Sequence, residues 1–335
     1  MNAQGKVWFV TGSSSGFGRN IVEEVIARGE RVVATARDTR TLEDLVARAP
    51  DRVLAVRLDV TKAEQVQESV TAALKRFGAI DVLVNNAGYT LFGAVEETSD
   101  AELRAAFEPL FFGAVAMTRA VLPHMRERRT GTLVQLSSVS GLVSYPGAGA
   151  YGAAKHALEG LSESLAKEVA PFGVKVLIVD PGMFRTKLLG PSYRPMPELA
   201  AYAESLGPMR AWVAQSAGTQ PGDPVKAAKA IVDAVDAGSP TLRLFLGPDA
   251  PAAVREKLAQ VLDDVNRTEQ LALSMGFCAR SQKPADSGTV GPSSLTKQGD
   301  PGSGQSTARG AKPTGPREAV RPPLDDSPHE CVHGC

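Results

Sequence analysis

Residues 131–155, GTLVQLSSVSGLVSYPGAGAYGAAK, are the stretch on which both the fold and the candidate chemistry depend. The apolar run 132–136 predicts a buried strand that ends near Ser138. Tyr151 and Lys155 are four residues apart, so on a helix they share one face. Ligands of open parallel sheets bind at the carboxyl ends of the strands. The stretch therefore predicts a hydroxyl, a phenol and an ammonium group close to a ligand site.

A phenol beside a fixed cation is a candidate acid or base, because the cation favours the phenolate form. The alternative for each residue alone is structural. Tyrosine is often a half-buried packing residue, and a Tyr-x-x-x-Lys spacing arises by chance in many helices. The rest of the chain has to decide between these interpretations.

Short apolar runs alternate with segments of helical periodicity along most of the chain. The predicted strands are residues 6–11, 31–36, 52–58, 81–84, 132–136, 174–179 and 241–246. The predicted helices are residues 19–28, 39–49, 61–77, 98–122, 151–172, 224–237 and 251–273. This alternation predicts an α/β fold, namely a Rossmann-type, doubly wound parallel sheet of seven strands in a single domain.

Local signals refine two of the helices. Thr61 followed by Glu64 is typical of a capping box and predicts a helix start at that threonine. Pro109 lies inside the long helix, where a proline ring cannot donate a backbone hydrogen bond, so a kink or break is expected there.

A glycine-rich turn follows the first strand and precedes the first helix. Glycines let the backbone approach a pyrophosphate, and the helix N-terminus supplies N–H donors. The spacing is G-x-x-x-G-x-G rather than G-x-G-x-x-G, and the alternative is a structural strand-to-helix turn. The residues predicted to hold a phosphate group are Gly12, Ser14, Gly16, Phe17 and Gly18.

The end of the second strand bears on the choice of dinucleotide. An acid at this position would bind a ribose 2′-hydroxyl, but Ala36 stands there and Arg37 follows. Because arginine accommodates a 2′-phosphate, the sequence favours NADP over NAD. The alternative is a solvated arginine paired with Asp38.

Composition excludes several classes of function. The formal net charge is zero, which gives no electrostatic footprint for nucleic acid or an anionic membrane. Residues 130–154 carry no charge, but their glycine, serine and proline content disfavours a membrane span. The three cysteines all lie in the last fifth of the chain, so the core has no disulfide framework and a cytoplasmic location is expected.

Two segments depart from the alternating pattern. Residues 183–221 mix apolar side chains with prolines and glycines after a strand end, which predicts a substrate lid; a pair of packing helices or an oligomer contact is the alternative. Residues 276–335 hold eight of the 23 prolines and predict a disordered tail after a catalytic domain at 1–275. Two histidines and two cysteines at its end match no structural zinc spacing, so no metal site is predicted.

Taken together, these motifs resemble those of the short-chain dehydrogenase/reductase family, over residues 5 to about 273. The resemblance rests on motifs in family order and spacing: Thr11-Gly12-x-x-x-Gly16-x-Gly18, Asp59, Asn85-Asn86-Ala87-Gly88, Ser138, Tyr151-x-x-x-Lys155 and Pro181-Gly182.

The resemblance implies a role for each matching residue. Tyr151 would be the general acid in carbonyl reduction and the base in alcohol oxidation. Lys155 would lower the pKa of Tyr151 and bind the nicotinamide ribose, while Ser138 would hydrogen-bond the substrate oxygen. The implied cofactor contacts are the glycine loop for the pyrophosphate, Asp59 and Val60 for the adenine, Asn86 and Gly88 for the ribose, and Pro181, Gly182 and Thr186 for the nicotinamide.

One position departs from the family pattern. Where the family has an asparagine in the long helix, which helps to position a water linked to the active-site lysine, this chain has Leu110. A leucine side chain has no donor or acceptor for that water. Turnover is expected to survive if a backbone carbonyl holds the water and to fall if the water is lost.

The sequence supports two main functions, which differ in whether Leu110 is taken to impair catalysis. The first is an NADP-dependent oxidoreductase that reduces a lipophilic ketone or aldehyde, or oxidises the corresponding secondary alcohol, as a homodimer or homotetramer. The alternative is an NADP-binding, catalytically weak protein with a regulatory or redox-sensing role. An epimerase or dehydratase on the same fold is a third, less favoured interpretation.

Overall fold

The computed structural model describes residues 5–190, 192–239 and 241–277. The residues up to Gly276 form one compact unit. The predicted disordered tail, with its histidines and cysteines, lies outside the described residues from position 278 onward.

A seven-stranded, all-parallel sheet forms the centre of the unit, in the order β3-β2-β1-β4-β6-β7-β9. The predicted doubly wound sheet is therefore confirmed, and the strand order reverses direction between β1 and β4. In such sheets the ligand cleft lies at this reversal. The strands are β1 Val7–Val10, β2 Arg31–Ala36, β3 Val53–Arg57, β4 Val82–Asn85, β6 Gly131–Leu136, β7 Val174–Pro181 and β9 Arg243–Leu246.

Helices cover both faces of the sheet, as the right-handed crossovers require. The helices are α1 Gly16–Ala27, α2 Glu43–Arg48, α3 Ala63–Phe77, α4 Asp100–Phe107, α5 Gly113–Arg128, α6 Gly149–Val169, α7 Ala203–Ser216, α8 Pro224–Asp236 and α9 Ala250–Ser274. One apolar layer joins the sheet to α1 and α8, and a second joins it to α3, α5 and α6. Because both faces are covered, the central strands are almost wholly buried.

The predicted capping box at Thr61 is wrong. The Thr61 hydroxyl donates to Asp59 Oδ1 at 2.8 Å, and α3 begins two residues later, after Lys62. The residue before the helix is Lys62, which makes no side-chain hydrogen bond to it. A capping box is found instead at the start of α4, where Ser99 Oγ accepts from the Glu102 N–H at 3.2 Å and the Glu102 carboxylate accepts from the Ser99 N–H at 3.0 Å.

The predicted irregularity at Pro109 is a π turn, Glu108–Phe112, which joins α4 to α5 without ending the helix. The wider turn absorbs the proline, which has no N–H to donate. Among the described residues, the continuous helix Asp100–Arg128 is the one helix long and apolar enough to cross a membrane by length and composition. Its buried residues, such as Leu110 and Met117, belong to the apolar clusters of this unit.

A second, two-stranded sheet was not predicted. It pairs β5 (Thr90–Phe92) with β8 (Tyr193–Pro195) in parallel, with Thr90 opposite Tyr193. The pairing fastens the predicted lid, residues 183–221, to the segment that follows β4. Three-residue strands carry no usable sequence periodicity, so this sheet could not be predicted from the pattern.

Candidate active site

The glycine loop is tied to the end of β4 by a side-chain amide. Asn86 Nδ2 donates to the carbonyl of Thr11 at 2.8 Å and to that of Gly12 at 3.0 Å. Thr11 Oγ1 in turn accepts from the backbone N–H of Asn86 at 2.9 Å. A Cβ on Gly18 would lie 2.4 Å from Asn86 Nδ2, so no larger residue fits at that position. The amide group of Asn86 thus shapes the loop rather than pointing freely toward a ligand.

The first backbone N–H groups of α1 have no side-chain acceptor among the described residues. The residue before the helix, Ser15, makes no side-chain hydrogen bond to it, and no acid lies in its first turn. Gly16 has a φ of 59°, a conformation that favours glycine. The first N–H groups of a helix without such a cap suit an anion, and the residues present therefore fit a dinucleotide pyrophosphate.

The start of the lid lies over this loop. The rings of Phe17 and Phe184 meet edge to face, with centroids 5.1 Å apart. A methyl group on Gly16 would lie 3.7 Å from Thr186 Cβ. Ser14, also in the loop, is exposed. The structure therefore places Thr186 beside the glycine loop, and its predicted contact with the nicotinamide stays a prediction.

Charged side chains surround the ends of β2 and β3. Arg37 is exposed and forms no salt bridge within the described residues, whereas Asp38 pairs with Arg40 at 2.7 Å. The predicted alternative, an Arg37–Asp38 pair, is therefore not the arrangement found. Burial raises the pKa of Asp59, but hydrogen bonds from Thr61 and the charge of Arg37 outweigh it, so that the pKa is lowered overall.

The end of β4 and the long helix meet at Gly88. A Cβ there would lie 2.6 Å from Leu110 Cδ2, so the leucine occupies the space next to the glycine. Leu110 is buried in a small apolar cluster with Ala106, Tyr151 and Ala154. The residue that replaces the family asparagine therefore packs in the same apolar cluster as the candidate catalytic tyrosine.

Ser138, Tyr151 and Lys155 converge at the end of β6. Ser138 Oγ accepts from the Ser140 N–H at 3.1 Å, and this bond holds the serine at the start of a short turn. Lys155 Nζ donates to the Leu136 carbonyl at 2.6 Å and lies 5.7 Å from the centroid of the Tyr151 ring. The predicted triple is thus brought together by one strand end and one helix face.

Burial controls the titration of both ionisable groups. Burial raises the pKa of Tyr151 to about 12, and the nearby Ser138 hydroxyl acts in the opposite direction. Burial lowers the pKa of Lys155 to about 8, although the carboxyl groups of Glu159 and Asp180 favour its charged form. In the ligand-free protein the phenol therefore rests protonated at neutral pH.

A small cavity lies beside the Lys155 ammonium group. Its volume is about 10 Å³, close to the room that one water molecule needs. Asn85 Nδ2 donates to Gln135 Oε1 at 3.1 Å, but Asn85 Oδ1 is buried with no protein partner. The cavity is lined by Thr11, Val60, Asn85, Ala87, Pro109, Leu110, Ala114, Leu136 and Lys155.

The end of β7 is closed by an acidic side chain from the start of α9. A Cβ on Gly182 would lie 2.3 Å from Asp249 Oδ1, and Asp249 Oδ2 accepts from the Met183 N–H at 2.9 Å. Pro181 is buried in β7, and its carbonyl accepts from Ser138 Oγ at 3.5 Å. Gly182 is therefore required by a packing contact that the sequence did not reveal.

Two buried carboxyl groups near Lys155 were missed by the sequence prediction. Glu159 lies one helical turn beyond Lys155, and Asp180 lies in β7 with no exposed surface. The 151–155–159 spacing on one helix face was the available signal, although an acid at such a position more often faces solvent.

Comparisons with known proteins agree with this geometry. A family model described as short chain dehydrogenase matches residues 6–196. Oxidoreductase BOA17 of Botryotinia fuckeliana is 38% identical over 258 residues, which cover 77% of this chain and 94% of that protein. A short-chain dehydrogenase structure from Streptomyces avermitilis is 50% identical, with a TM-score of 0.76, over 81% of this chain and 100% of that one. A short chain dehydrogenase/reductase from Burkholderia phymatum, solved in complex with NAD, is 28% identical with a TM-score of 0.67, over 76% and 93% of the two chains.

Proposed function

The chain belongs to the short-chain dehydrogenase family, and we propose that it is an NADP-dependent oxidoreductase with Tyr151 as its acid–base residue. Its substrates would be lipophilic ketones or aldehydes, or the corresponding secondary alcohols. The observation that carries the proposal is the convergence of Ser138, Tyr151 and Lys155 at the carboxyl end of β6.

The residues of the triple divide the chemistry of carbonyl reduction among them. The nicotinamide, when bound, supplies the hydride that attacks the carbonyl carbon. Ser138 Oγ donates a hydrogen bond to the carbonyl oxygen as negative charge develops there. The Tyr151 hydroxyl gives its proton to the same oxygen, and the cation at Lys155 stabilises the phenolate left behind. In alcohol oxidation the proton returns to Tyr151 by the reverse path.

The residues that would hold the phosphates and the adenosine follow the carboxyl ends of β1, β2 and β3. The glycine loop and the N-terminus of α1 would hold the pyrophosphate, and Asp59 and Val60 would border the adenine. Arg37, exposed and without a salt bridge among the described side chains, is the feature that favours a 2′-phosphate and hence NADP over NAD.

Apolar packing near Tyr151 supports a lipophilic substrate. Leu91 of β5 and Met196, next to β8, pack with Ala150, the neighbour of Tyr151 in sequence, and Tyr89 lies against this cluster. Leu142 and Val143, in the turn after β6, pack against α9. The proposed substrate surface is therefore formed by the small sheet and the lid more than by the turn after β6.

The cavity beside Lys155 accounts for the loss of the family asparagine. We infer that one water molecule lies there, held by Lys155 Nζ and Asn85 Oδ1, and exchanges a proton with the lysine. An amide at position 110 is then unnecessary, because another buried amide supplies the acceptor. A reducing cytoplasm fits the absence of cysteine from residues 1–277. A homodimer or homotetramer is proposed from the family resemblance.

The test is a screen of NADPH consumption by the full-length protein over a panel of aliphatic and aromatic ketones and aldehydes, with NADPH binding measured in parallel. We expect turnover that increases with the apolar surface of the substrate. Tight NADPH binding without turnover of any panel member would contradict the proposal and favour a cofactor-sensing role.

A further inference from the structure

Asp180 and Glu159, called the carboxyl pair below, are buried within hydrogen-bonding reach of each other. Asp180 has no exposed surface, and neither of its carboxyl oxygens has an ordinary donor within the described structure. Glu159 Oε1 and the buried Ser137 Oγ lack such partners as well. The Ser137 hydroxyl can donate its hydrogen to Asp180, but the second carboxyl oxygen of Asp180 and Glu159 Oε1 are then still one hydrogen short.

Two basic residues, Arg243 and Lys155, and two further acids lie around the carboxyl pair. Arg243, at the start of β9, donates to Glu159 Oε2 through Nε at 3.0 Å and through Nη2 at 2.9 Å, and it also pairs with the half-exposed Glu163. Lys155 faces the pair from the preceding turn of α6, and both carboxyls favour its charged form. Asp249, at the start of α9, approaches the chain two residues beyond Asp180.

At neutral pH it is unfavourable to ionise two carboxyl groups that are in contact in a buried site, because the repulsion and the desolvation cost add. Arg243 donates two hydrogen bonds to Glu159, whereas neither carboxyl oxygen of Asp180 accepts one from it. The proton therefore rests on Asp180, and burial together with the adjacent Glu159 raises the pKa of Asp180 far above the usual range. A single shared proton satisfies both facing oxygens.

We propose that Asp180 and Glu159 share one proton and together hold the positive charge on Lys155. The shared proton does not depend on the proposed function. Its catalytic use does, because Lys155 is the residue that would stabilise the Tyr151 phenolate. When Asp180 releases its proton, the second negative charge stabilises the lysine cation. Asp180 and Glu159 are thus positioning residues that act through Lys155.

The shared proton is tested on the ligand-free, full-length protein by infrared spectroscopy. At neutral pH the difference between wild type and Asp180→Asn should show the C=O stretch of a protonated carboxyl group. Glu163→Gln, which removes an exposed carboxyl from the same ion-pair network, should leave that band in place. Absence of the band from wild type, or its persistence in Asp180→Asn, would overturn the proposal.

The effect on Lys155 is tested by NMR titration of lysines labelled at the ε carbon, with the Lys155 signal assigned from its loss in Lys155→Met. Either Asp180→Asn or Glu159→Gln leaves one ionisable carboxyl, so both should lower the midpoint by a similar amount, roughly one pH unit or a tenfold change in proton affinity. The Glu163→Gln midpoint should stay within a few tenths of wild type.

Equal Lys155 midpoints in all four proteins would contradict the proposal. Agreement between the two single variants is the readout that a merely structural role would not produce. If one variant fails to fold, the other still gives the result. Neither measurement uses turnover, so a chain that reduced no carbonyl would leave the outcome of this test unaffected.

Discussion

Replacing Lys155 with methionine should make the protein more stable at neutral pH while removing its activity. The lysine is buried, and burial lowers its pKa from 10.5 to about 8. At about 1.4 kcal/mol per pH unit, holding a charged lysine there costs the folded state roughly 3 kcal/mol below pH 8. Losing the hydrogen bond to the Leu136 carbonyl offsets about 1 kcal/mol of this. We expect a net gain of about 1–2 kcal/mol in the free energy of unfolding.

The pH dependence of this gain identifies its cause. A lysine pKa that is depressed in the folded state means that the free energy of unfolding of wild type falls as the pH drops from 10.5 toward about 8. Below that value the penalty has reached its full size and stays constant. The advantage of Lys155→Met over wild type should therefore be constant below pH 8 and fade between pH 8 and 10.5. Lys167→Met, an exposed site on the same helix, is the matched control and should show no such dependence.

The assay is urea unfolding of wild type and both variants at several pH values, with thermal melting as a check. A gain of this size should raise the melting temperature by about 2–6 °C for a domain of this length. A Lys155→Met protein less stable than wild type at pH 7, or a difference that does not change up to pH 10.5, would refute the reasoning from burial.

Three further predictions concern the neighbouring residues. Leu110→Asn should raise turnover by less than about twofold, because the buried Asn85 amide beside the cavity already supplies an acceptor. The new amide at position 110 would be buried without partners, so it should lower the free energy of unfolding by about 1–3 kcal/mol. A large gain in turnover would show that the proton path of wild type is damaged. Arg37→Ala should raise the KM for NADPH at least tenfold with little change for NADH, whereas Arg40→Ala, whose side chain pairs with Asp38, should alter neither; equal affinity of wild type for both cofactors would contradict this. Glu97→Gln should loosen the lid and raise the KM for substrate, because the Glu97 carboxylate accepts hydrogen bonds from two lid residues, from the Leu199 N–H at 2.8 Å and from Arg210. These bonds lower the Glu97 pKa to about 2, so they stabilise the folded protein above pH 4.5 and their contribution is lost as the pH falls toward 2. Acid unfolding of wild type and Glu97→Gln will measure this difference.

The sheet could be predicted because its central strands are buried on both faces and therefore appear as continuous apolar runs, which alternate with helical segments along the chain. The candidate site followed from motifs whose spacing matches the elements that carry them, such as Tyr151 and Lys155 on one helix face. The observed strand ends differ from the predicted ones by no more than about two residues, which is the usual uncertainty of element boundaries.

What could not be predicted depends on contacts between distant residues. Thr61 was predicted to cap a helix, but the helix begins after Lys62, and the Thr61 hydroxyl donates to Asp59. Gly182 was predicted as a cofactor contact, but no sequence pattern indicated that Asp249, 67 residues later, leaves no room for a side chain there. The carboxyl pair joins α6 to β7, and no local pattern indicates that these two acids meet.

Tyr151→Phe tests the central claim most directly, because phenylalanine keeps the ring and its packing but has no proton to give. In the NADPH-consumption assay with the best carbonyl substrate, we expect kcat to fall by about 10²- to 10⁴-fold while the Kd for NADPH stays within about threefold of wild type. Tyr202→Phe, which removes a surface hydroxyl bonded to Glu96, should behave as wild type. Full turnover by the Tyr151→Phe enzyme would contradict the assignment of Tyr151 as the acid–base residue.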